Sequence, residues 1–216
     1  MQFEVSGLAR KAVDAGWASG PGDLLAVQLT AGVLGWTEVP TRRGEQVLTT
    51  LTPSETEDAK PRSLSAIYGL AQLPLHTDGA HLERPPDFVV LIAEAPSATA
   101  TRLWVAAPAT SAFPMDDAQH GVFLVDGGRD KFYSTASSSD GHIRYDPGCM
   151  HPCDPRAIRT ANYFENQEEN ATRLEWTGAG VLIIDNRRTL HGREAVTTSD
   201  VARVLRRIAY HAKDEQ

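Results

Sequence analysis

Near the middle of the chain stands Pro74-Leu75-His76-Thr77-Asp78-Gly79-Ala80-His81, a stretch that contains a His-x-Asp motif. Residues i and i+2 project to the same side of an extended segment, so His76 and Asp78 can chelate one ion. A distant histidine, His191, lies in Asp185-Asn186-Arg187-Arg188-Thr189-Leu190-His191-Gly192-Arg193. Two histidines and one carboxylate suit one face of an octahedral Fe(II) ion, and they also suit zinc. The ligand types therefore predict a metal site and leave the metal open.

The composition predicts one ordinary globular domain covering residues 1–216. The chain is 41% hydrophobic and 23% charged, which is typical of proteins that bury a full core. Its formal net charge is −7, which argues against broad binding to nucleic acids or anionic membranes, because both require basic surfaces. The arginines near the C-terminus are clustered, which favours one anionic small molecule as the partner.

The N-terminal twenty residues carry charges and contain no apolar core typical of a signal peptide. No apolar run approaches the length of a membrane span. We therefore expect a cytoplasmic protein that binds no membrane.

Two cysteines occur, in Cys149-Met150-His151-Pro152-Cys153. A disulfide would be unusual in a reducing compartment. A zinc site formed by Cys149, His151 and Cys153 is an alternative, but no second ligand pair lies nearby. The favoured interpretation is that both thiols are free and incidental to function.

Hydrophobic patterning predicts many strands and few helices. Helices are predicted over residues 8–17, 23–34, around 110–120 and 154–169, the last capped by Asp154 with Pro155 in its first turn. Strand-forming segments are predicted over residues 46–52, 64–75, 88–92, 99–105, 178–185 and 201–211, with a hairpin over 131–145. Without a strand–helix alternation, the pattern indicates a mostly β sandwich or barrel.

Three segments together resemble the taurine dioxygenase and clavaminate synthase-like family of Fe(II)- and 2-oxoglutarate-dependent oxygenases. They are residues 74–81, residues 185–193 and Arg203-Val204-Leu205-Arg206-Arg207. The resemblance begins near residue 64. It implies a double-stranded β-helix (jelly-roll, cupin-like) core with flanking helices, and residues 1–63 as a helical and β segment packed on that core.

The resemblance also implies a role for individual residues. His76, Asp78 and His191 would hold the iron. Arg207, sixteen positions after His191 (207 − 191), would bind the distal carboxylate of 2-oxoglutarate. Arg203 would assist at the carboxylate beside the iron, and spacing along one strand would put both arginines on the same face. Arginine suits this task because its planar fork holds a carboxylate at two points.

Other site residues follow from the resemblance by position. Thr101, with Thr99 as second choice, would help to hold the co-substrate, although ordinary strand propensity explains both threonines equally well. Arg144 and Asp146 match a region that contacts amino-acid substrates in one branch of the family. Arg144 would bind a carboxylate and Asp146 an amine. The alternative for these two residues is an exposed hairpin of alternating charge.

The implied activity is hydroxylation of an unactivated C–H bond, using O2 and 2-oxoglutarate and releasing succinate and CO2. The implied substrate is an amino acid or a derivative of one, either free or bound to a peptide or carrier. Desaturation or cyclisation of a natural-product intermediate is the alternative within the family. A zinc-dependent hydrolase or lyase and a non-catalytic β-barrel binding module are the alternatives outside it.

Overall fold

The computed structural model describes residues 2–42, 44–106 and 113–213. Five α-helices lie in these ranges: α1 (Gln2–Ala15), α2 (Leu24–Leu34), α3 (Leu64–Tyr68), α4 (Met115–His120) and α5 (Pro155–Glu165). None of the helices in the described part of the chain is both long enough and apolar enough to cross a bilayer.

The same ranges contain thirteen strands, paired into three sheets. In chain order these are β1 (Trp17–Gly20), β2 (Thr37–Val39), β3 (Leu48–Leu51), β4 (Leu73–His76), β5 (Phe88–Ala93), β6 (Ser97–Val105), β7 (Phe123–Asp126), β8 (Lys131–Ser134), β9 (Met150–Pro152), β10 (Thr172–Trp176), β11 (Gly180–Asp185), β12 (Thr189–Arg193) and β13 (Leu205–His211).

All strand pairs are antiparallel. The largest sheet has the order β1-β11-β5-β13-β2, with β3 pairing to β13 beside β2. A second sheet has the order β10-β6-β12-β4, and a small third sheet has the order β8-β7-β9. The described chain is therefore mostly β with flanking helices, as the sequence predicts.

The continuous apolar run in β5 follows from its burial on both faces. Phe88, Val90 and Ile92 pack with α1 and α2 in one cluster. The alternate residues, Val89 and Leu91 among them, pack toward the second sheet in another cluster. The inner layer thus joins the two larger sheets, and the N-terminal helices cover the outer face of the first sheet.

A third cluster covers the other face of the second sheet. It includes Leu75 of β4, Leu190 of β12, Phe123 of β7 and Phe164 of α5. The helix α5 begins as predicted, because the Asp154 side chain accepts a hydrogen bond from the backbone N–H of Ala157 and Pro155 is the first helical residue.

Two local predictions are wrong. Residues 64–75 were expected to be extended, but Ser63 caps the short helix α3 and Gly69 ends it, so the strand is limited to β4. The hairpin predicted over residues 131–145 reduces to one bridge between Ser137 and Ile143, because β8 pairs with β7 instead. Long-range pairing outweighs the local turn in the second case.

Other predictions have mixed outcomes. The helix expected around residues 110–120 appears as α4, and residues 110–112 lie outside the described part. Both cysteines are free, Cys149 buried and Cys153 exposed, as expected. Burial raises the pKa of the Cys149 thiol, an effect that Asp146 reinforces, so this thiol stays protonated.

Candidate metal centre

Two histidines face each other across neighbouring strands. His191 on β12 is the direct register partner of His76 on β4, and their ring centroids lie 4.6 Å apart. Residues directly opposite each other in an antiparallel pair project from the same face of the sheet. Strand pairing therefore brings together two residues that are more than a hundred positions apart in the sequence.

The carboxylate of Asp78 completes the group. Its Oδ1 lies 3.9 Å from Nε2 of His76, and its Oδ2 lies 3.8 Å from Nε2 of His191. One ligand atom from each residue falls within 4.8 Å of the other two, and no other such group of histidine, cysteine and acidic residues occurs in the described ranges. Ligand atoms about 2.1 Å from one ion lie at most about 4.2 Å apart, so both carboxylate–imidazole distances suit a shared ion.

The ring of His76 is oriented for binding through Nε2. Its Nδ1 lies 3.0 Å from the carbonyl oxygen of Pro74, so Nδ1–H donates to that carbonyl in the neutral tautomer and Nε2 keeps its lone pair. Metal-bound histidines usually show this second hydrogen bond.

The strand that carries His76 is held at its outer edge by an acid. β4 is an edge strand, and the backbone N–H of Leu75 donates to Oε1 of Glu168 at 2.7 Å. Arg102 pairs with the same carboxylate and also donates to the Glu168 carbonyl. The residue after His76 is held too, because Thr77 N–H donates to the carbonyl of Tyr145 at 2.7 Å.

The electrostatics of Asp78 and His191 favour the protonation states of metal ligands. Burial raises the pKa of Asp78, but Arg207 and then the two histidines outweigh burial and lower this pKa to about 2. Burial and the neighbouring charges of His76 and Arg207, opposed by Asp78, lower the pKa of His191 to about 3. Asp78 is therefore ionised and His191 neutral at pH 7.

An unsatisfied hydrogen-bond acceptor at the site also supports metal binding. Oδ2 of Asp78 is buried and has no hydrogen-bond partner among the described residues. A buried carboxylate oxygen without a partner is costly, and a cation facing both it and two imidazole nitrogens removes that cost. Two histidines and one carboxylate fit Fe(II), as the sequence predicts.

Arg207 lies on β13 and reaches into the same site. Its Nη1 donates to Oδ1 of Asp78 at 2.9 Å. Its Nη2 donates to Oγ1 of Thr41 at 2.7 Å, and its Nε donates to Oγ1 of Thr49 at 3.3 Å. All three donor groups of the guanidinium thus have partners. The neighbouring Arg206 points to the other side and pairs with exposed Glu94.

Arg203 does not share the strand of Arg207. β13 begins at Leu205, and the backbone N–H of Arg203 donates to the carbonyl of Asp200. The prediction that strand spacing puts both arginines on one face is therefore wrong. Arg203 Nε is buried and has no hydrogen-bond partner among the described residues. Burial lowers the Arg203 pKa to about 10 despite the nearby Asp200 carboxylate.

The two candidate threonines differ in hydrogen bonding. Both lie on β6, on the face that His191 occupies, because Leu103 is opposite His191 and Thr101 is opposite Arg193. Thr101 Oγ1 already accepts a hydrogen bond from the indole N–H of Trp176 at 2.9 Å. Thr99 Oγ1 is buried beside the Asp200 carboxylate, to which the backbone N–H of Thr99 donates at 3.0 Å.

The guanidinium of Arg144 is occupied by backbone groups. Nη1 lies 3.3 Å from the carbonyl oxygen of Ala80 and 2.9 Å from that of Leu82, and Nη2 donates to the carbonyl of Glu83 at 2.8 Å. These bonds hold the loop that follows the ligand pair. They leave Arg144 poorly suited to the substrate carboxylate expected from the sequence, because a substrate would have to displace them.

His81 lies within electrostatic reach of Asp78 and of Asp146. Asp146 Oδ1 accepts a hydrogen bond from the backbone N–H of Gly148 at 2.7 Å. Burial and then Arg42 lower the pKa of His81, whereas Asp146 and Asp78 raise it. His81 is therefore mainly neutral at pH 7 and lies within electrostatic reach of both acids.

Sequence reasoning missed Thr41 and Thr49. Both precede the motif-bearing part of the chain, and nothing in their local sequence marks them. They reach Arg207 because β2 and β3 pair with β13. Their contacts with Arg207 can be recognised only when the pairing of β2 and β3 with β13 is known.

A cleft of about 920 Å³ lies on the far side of the turn that joins β11 and β12. Phe88, Arg187 and Asn186 are among its lining residues, and none of the three candidate metal ligands is. Arg187 is held by Asp185 at 2.7 Å, and its guanidinium lies 4.9 Å from the Phe88 ring centroid. This cleft and the candidate metal ligands therefore lie in different places.

No protein-family model and no curated protein matches the chain. Solved structures do match. An asparagine oxygenase in complex with Fe(II), 2S,3S-3-hydroxyasparagine and succinate aligns with a TM-score of 0.73 and 17% identity, over 98% of this chain and 78% of that chain. The non-haem iron oxygenase OrfP, in complex with Fe, succinate and (3S)-hydroxy-L-Arg, aligns with a TM-score of 0.72 and 15% identity, over 97% and 81%.

The chain has the fold of non-haem iron oxygenases. PvcB from Pseudomonas aeruginosa has a similar fold, with a TM-score of 0.65 and 17% identity over 98% of this chain and 80% of that chain. The fold likeness expected from the three sequence motifs is therefore confirmed.

Proposed function

We propose that this protein is an Fe(II)- and 2-oxoglutarate-dependent oxygenase that hydroxylates an amino acid or an amino-acid derivative. One observation carries the proposal. The partnerless Asp78 Oδ2 faces Nε2 of His191 at 3.8 Å, beside His76, in a chain with the fold of iron oxygenases. In this proposal the three residues hold the iron.

The proposal includes a double-stranded β-helix core within a single domain of residues 1–216. Two antiparallel sheets that share a buried layer support this architecture. Residues 1–63 belong to the same domain, because Val5 of α1 and Val27 of α2 pack on the first sheet and β2 and β3 extend it.

Fe(II) with bound 2-oxoglutarate supplies the oxidising power that puts one atom of O2 into a C–H bond, with succinate and CO2 as coproducts. The protein's task is to hold the reactants and to exclude competing reactions. Asp78 stays ionised through Arg207, and His191 stays neutral through burial, so both remain competent ligands at pH 7.

The two arginines bind different carboxylates. The sequence assigned the distal carboxylate of 2-oxoglutarate to Arg207, but Arg207 contacts Asp78 directly and so lies beside the metal ligands. Arg203 has a buried donor without a partner and shares the neighbourhood of Asp200 with Thr99. We therefore assign the distal carboxylate to Arg203 and Thr99. Arg207 keeps its donor groups on Asp78, Thr41 and Thr49 and supplies positive charge beside the metal, and Thr101 supports the co-substrate from the same strand as Thr99.

The substrate class rests on the fold neighbours and on the charges of the site. The neighbouring structures contain hydroxyasparagine and hydroxy-L-Arg, which are hydroxylated amino acids. Arg207 supplies positive charge for a substrate carboxylate, and Asp146 supplies negative charge for an amine. The substrate is a small molecule or a tethered residue of this kind, with no nucleic-acid or membrane partner.

Turnover with a substrate panel tests the proposal. Iron-loaded protein receives 2-oxoglutarate, O2 and either free L-amino acids or the same residues on a peptide or carrier. We expect succinate formation that depends on one substrate and a product heavier by one oxygen. The Asp78→Ala variant, checked for folding, is the control and should form none.

Three outcomes would redirect the assignment. A product lighter by two hydrogens identifies desaturation or cyclisation. Turnover with zinc and without O2 contradicts the oxygenase proposal. A folded protein whose stability does not respond to any divalent metal contradicts a metal enzyme and favours a binding module.

A further inference from the structure

Asn186 makes an unusual set of contacts with the main chain of Asp78. It lies in the turn between β11 and β12 and is only 1% exposed. Its Oδ1 accepts a hydrogen bond from the N–H of Asp78 at 2.9 Å. Its Nδ2 donates to the carbonyl of Asp78 at 3.0 Å and to the carbonyl of Pro86 at 2.8 Å. One amide thus satisfies both backbone groups of a candidate metal ligand.

The main chain at Asp78 requires such support. β4 ends at His76, so the strand ladder does not extend to Asp78. The next residue, Gly79, has φ +70°, in the left-handed region, and a Cβ there would lie 2.7 Å from Pro86 Cδ. Asp78 therefore sits between the end of a strand and a tight turn, where buried backbone groups need side-chain partners.

Asn186 also belongs to the turn that leads from the first sheet into β12, the strand that carries the second histidine. It precedes His191 by five positions (191 − 186), and its own N–H donates to the carbonyl of Asp87 at 2.9 Å. The element that presents His191 thus holds the main chain that presents Asp78. A shift of this turn would change the distance between the two ligands.

The chemistry at position 186 is specific to an amide. The site needs one acceptor facing an N–H group and one donor facing two carbonyl oxygens, and an asparagine side chain supplies both. Aspartate would keep the acceptor but would turn a second oxygen toward two carbonyls. Leucine would leave all three backbone groups without this partner.

We propose that Asn186 is a positioning residue that sets the placement of the Asp78 carboxylate relative to His191, and so sets the affinity and geometry of the metal site. The inference rests on the proposed function, because it assumes that these residues bind metal. It adds a determinant outside the ligand set. Partners that orient metal ligands typically change affinity by about 10- to 100-fold when they are removed.

Cobalt(II) titration of the metal-free full-length protein tests this inference without any turnover. The variants are Asn186→Leu and Asn186→Asp, with Asn186→Ser as a smaller change that adds no buried charge. Val27→Ala is the control. Val27 is buried between α2 and the first sheet, so this substitution creates a cavity away from the site. Thermal unfolding of each metal-free protein reports the structural cost separately.

We expect the Asn186 variants to bind cobalt about 10- to 100-fold more weakly, with altered visible bands, while Val27→Ala binds like the wild type. Folded Asn186 variants with wild-type affinity and spectrum would overturn the inference alone. A wild-type protein that binds no cobalt or iron would overturn the proposed metal site and this inference together. If Val27→Ala weakened cobalt binding as much as the Asn186 variants do, the loss would reflect general destabilisation of the fold. That result would also overturn the inference about Asn186.

Discussion

Arg207 and Arg203 are only four residues apart, yet their surroundings are opposite. Arg207 donates to Asp78, Thr41 and Thr49, so each of its donor groups has a partner in the protein. Arg203 Nε is buried and has no hydrogen-bond partner in the described part of the chain, and Arg203 and Thr99 both contact Asp200. A ligand at Arg207 must compete with existing contacts, whereas a ligand at Arg203 supplies contacts that are missing.

The difference between the two arginines indicates that they have different roles in the site. Arg207 serves the metal ligands themselves, because its charge keeps Asp78 ionised. Arg203 contacts no candidate metal ligand among the contacts described, and in the proposed assignment its unpartnered Nε, beside Asp200, binds the distal carboxylate of 2-oxoglutarate. Unpaired buried polar groups are rare in native proteins, and those that occur need an explanation. In the proposed assignment, a carboxylate bound between Arg203 and Thr99 would supply the missing partner of Arg203 Nε.

Removing each arginine in turn is the strongest test of this comparison. Arg203→Ala should weaken 2-oxoglutarate binding by about 100-fold or more, because a buried charge pair is truncated. Arg207→Ala should affect 2-oxoglutarate less and the amino-acid substrate more. Calorimetric titration of the iron- or cobalt-loaded protein measures both affinities.

Arg206→Ala is the matched control for the arginine pair, since Arg206 pairs with Glu94 at the surface. It should bind both ligands like the wild type. A larger loss of 2-oxoglutarate affinity in Arg207→Ala than in Arg203→Ala would reverse the assignment and restore the one made from the sequence.

The pH dependence of the metal-free protein gives a second, smaller effect. His191 has a pKa of about 3 in the folded state, below its ordinary value of 6.5. The unfolded state therefore binds more protons between these values, so stability is full above pH 6.5 and is lost as the pH falls toward 3. The loss should reach a few kcal/mol, on the order expected for a shift of this size.

Denaturant unfolding at several pH values measures this loss. His191→Gln should flatten the slope between pH 6.5 and 3, whereas His142→Gln, which alters a more exposed histidine, should keep it. An unchanged slope in His191→Gln would show that other groups control acid sensitivity.

Removal of the threonine hydroxyls that bind Arg207 should give the smallest effects, and these are on folding stability. Thr41→Val removes a buried acceptor at 2.7 Å and should cost about 1.5–3 kcal/mol of folding stability, as hydrogen bonds to charged groups do. Thr49→Val removes a longer contact of 3.3 Å and should cost less. Thr50→Val, on the same strand but exposed, is the control and should be nearly neutral. A neutral Thr41→Val would indicate that Arg207 does not depend on the N-terminal segment.

The sequence predicted which three residues come together at the candidate metal centre, although their role as ligands stays a prediction. A histidine and an aspartate at i and i+2 project to the same side of an extended segment, and few residue types suit Fe(II). To place His191 in the site, one further observation is needed: the register that pairs it with His76 across neighbouring strands. The mostly β class followed from strand-forming segments such as β5, whose burial on both faces explains its unbroken apolar run.

The other parts of the site depend on long-range contacts that local patterns do not contain. Thr41 and Thr49 reach Arg207 only through pairing with β13, and Asn186 reaches Asp78 across a turn. The strand-face argument for Arg203 failed because β13 begins two residues later. The sequence predicted that Arg144 binds a carboxylate, but its guanidinium donates to three backbone carbonyl oxygens. The residue type alone cannot reveal these contacts.

The central claim is that His76, Asp78 and His191 hold Fe(II) together with 2-oxoglutarate. An anaerobic visible spectrum of the metal-free protein with Fe(II), before and after addition of 2-oxoglutarate, tests it most directly. The account predicts a new weak charge-transfer band, absent in His76→Ala and appearing only at higher 2-oxoglutarate concentration in Arg203→Ala. A folded, iron-loaded wild-type protein that shows no such band would contradict the account.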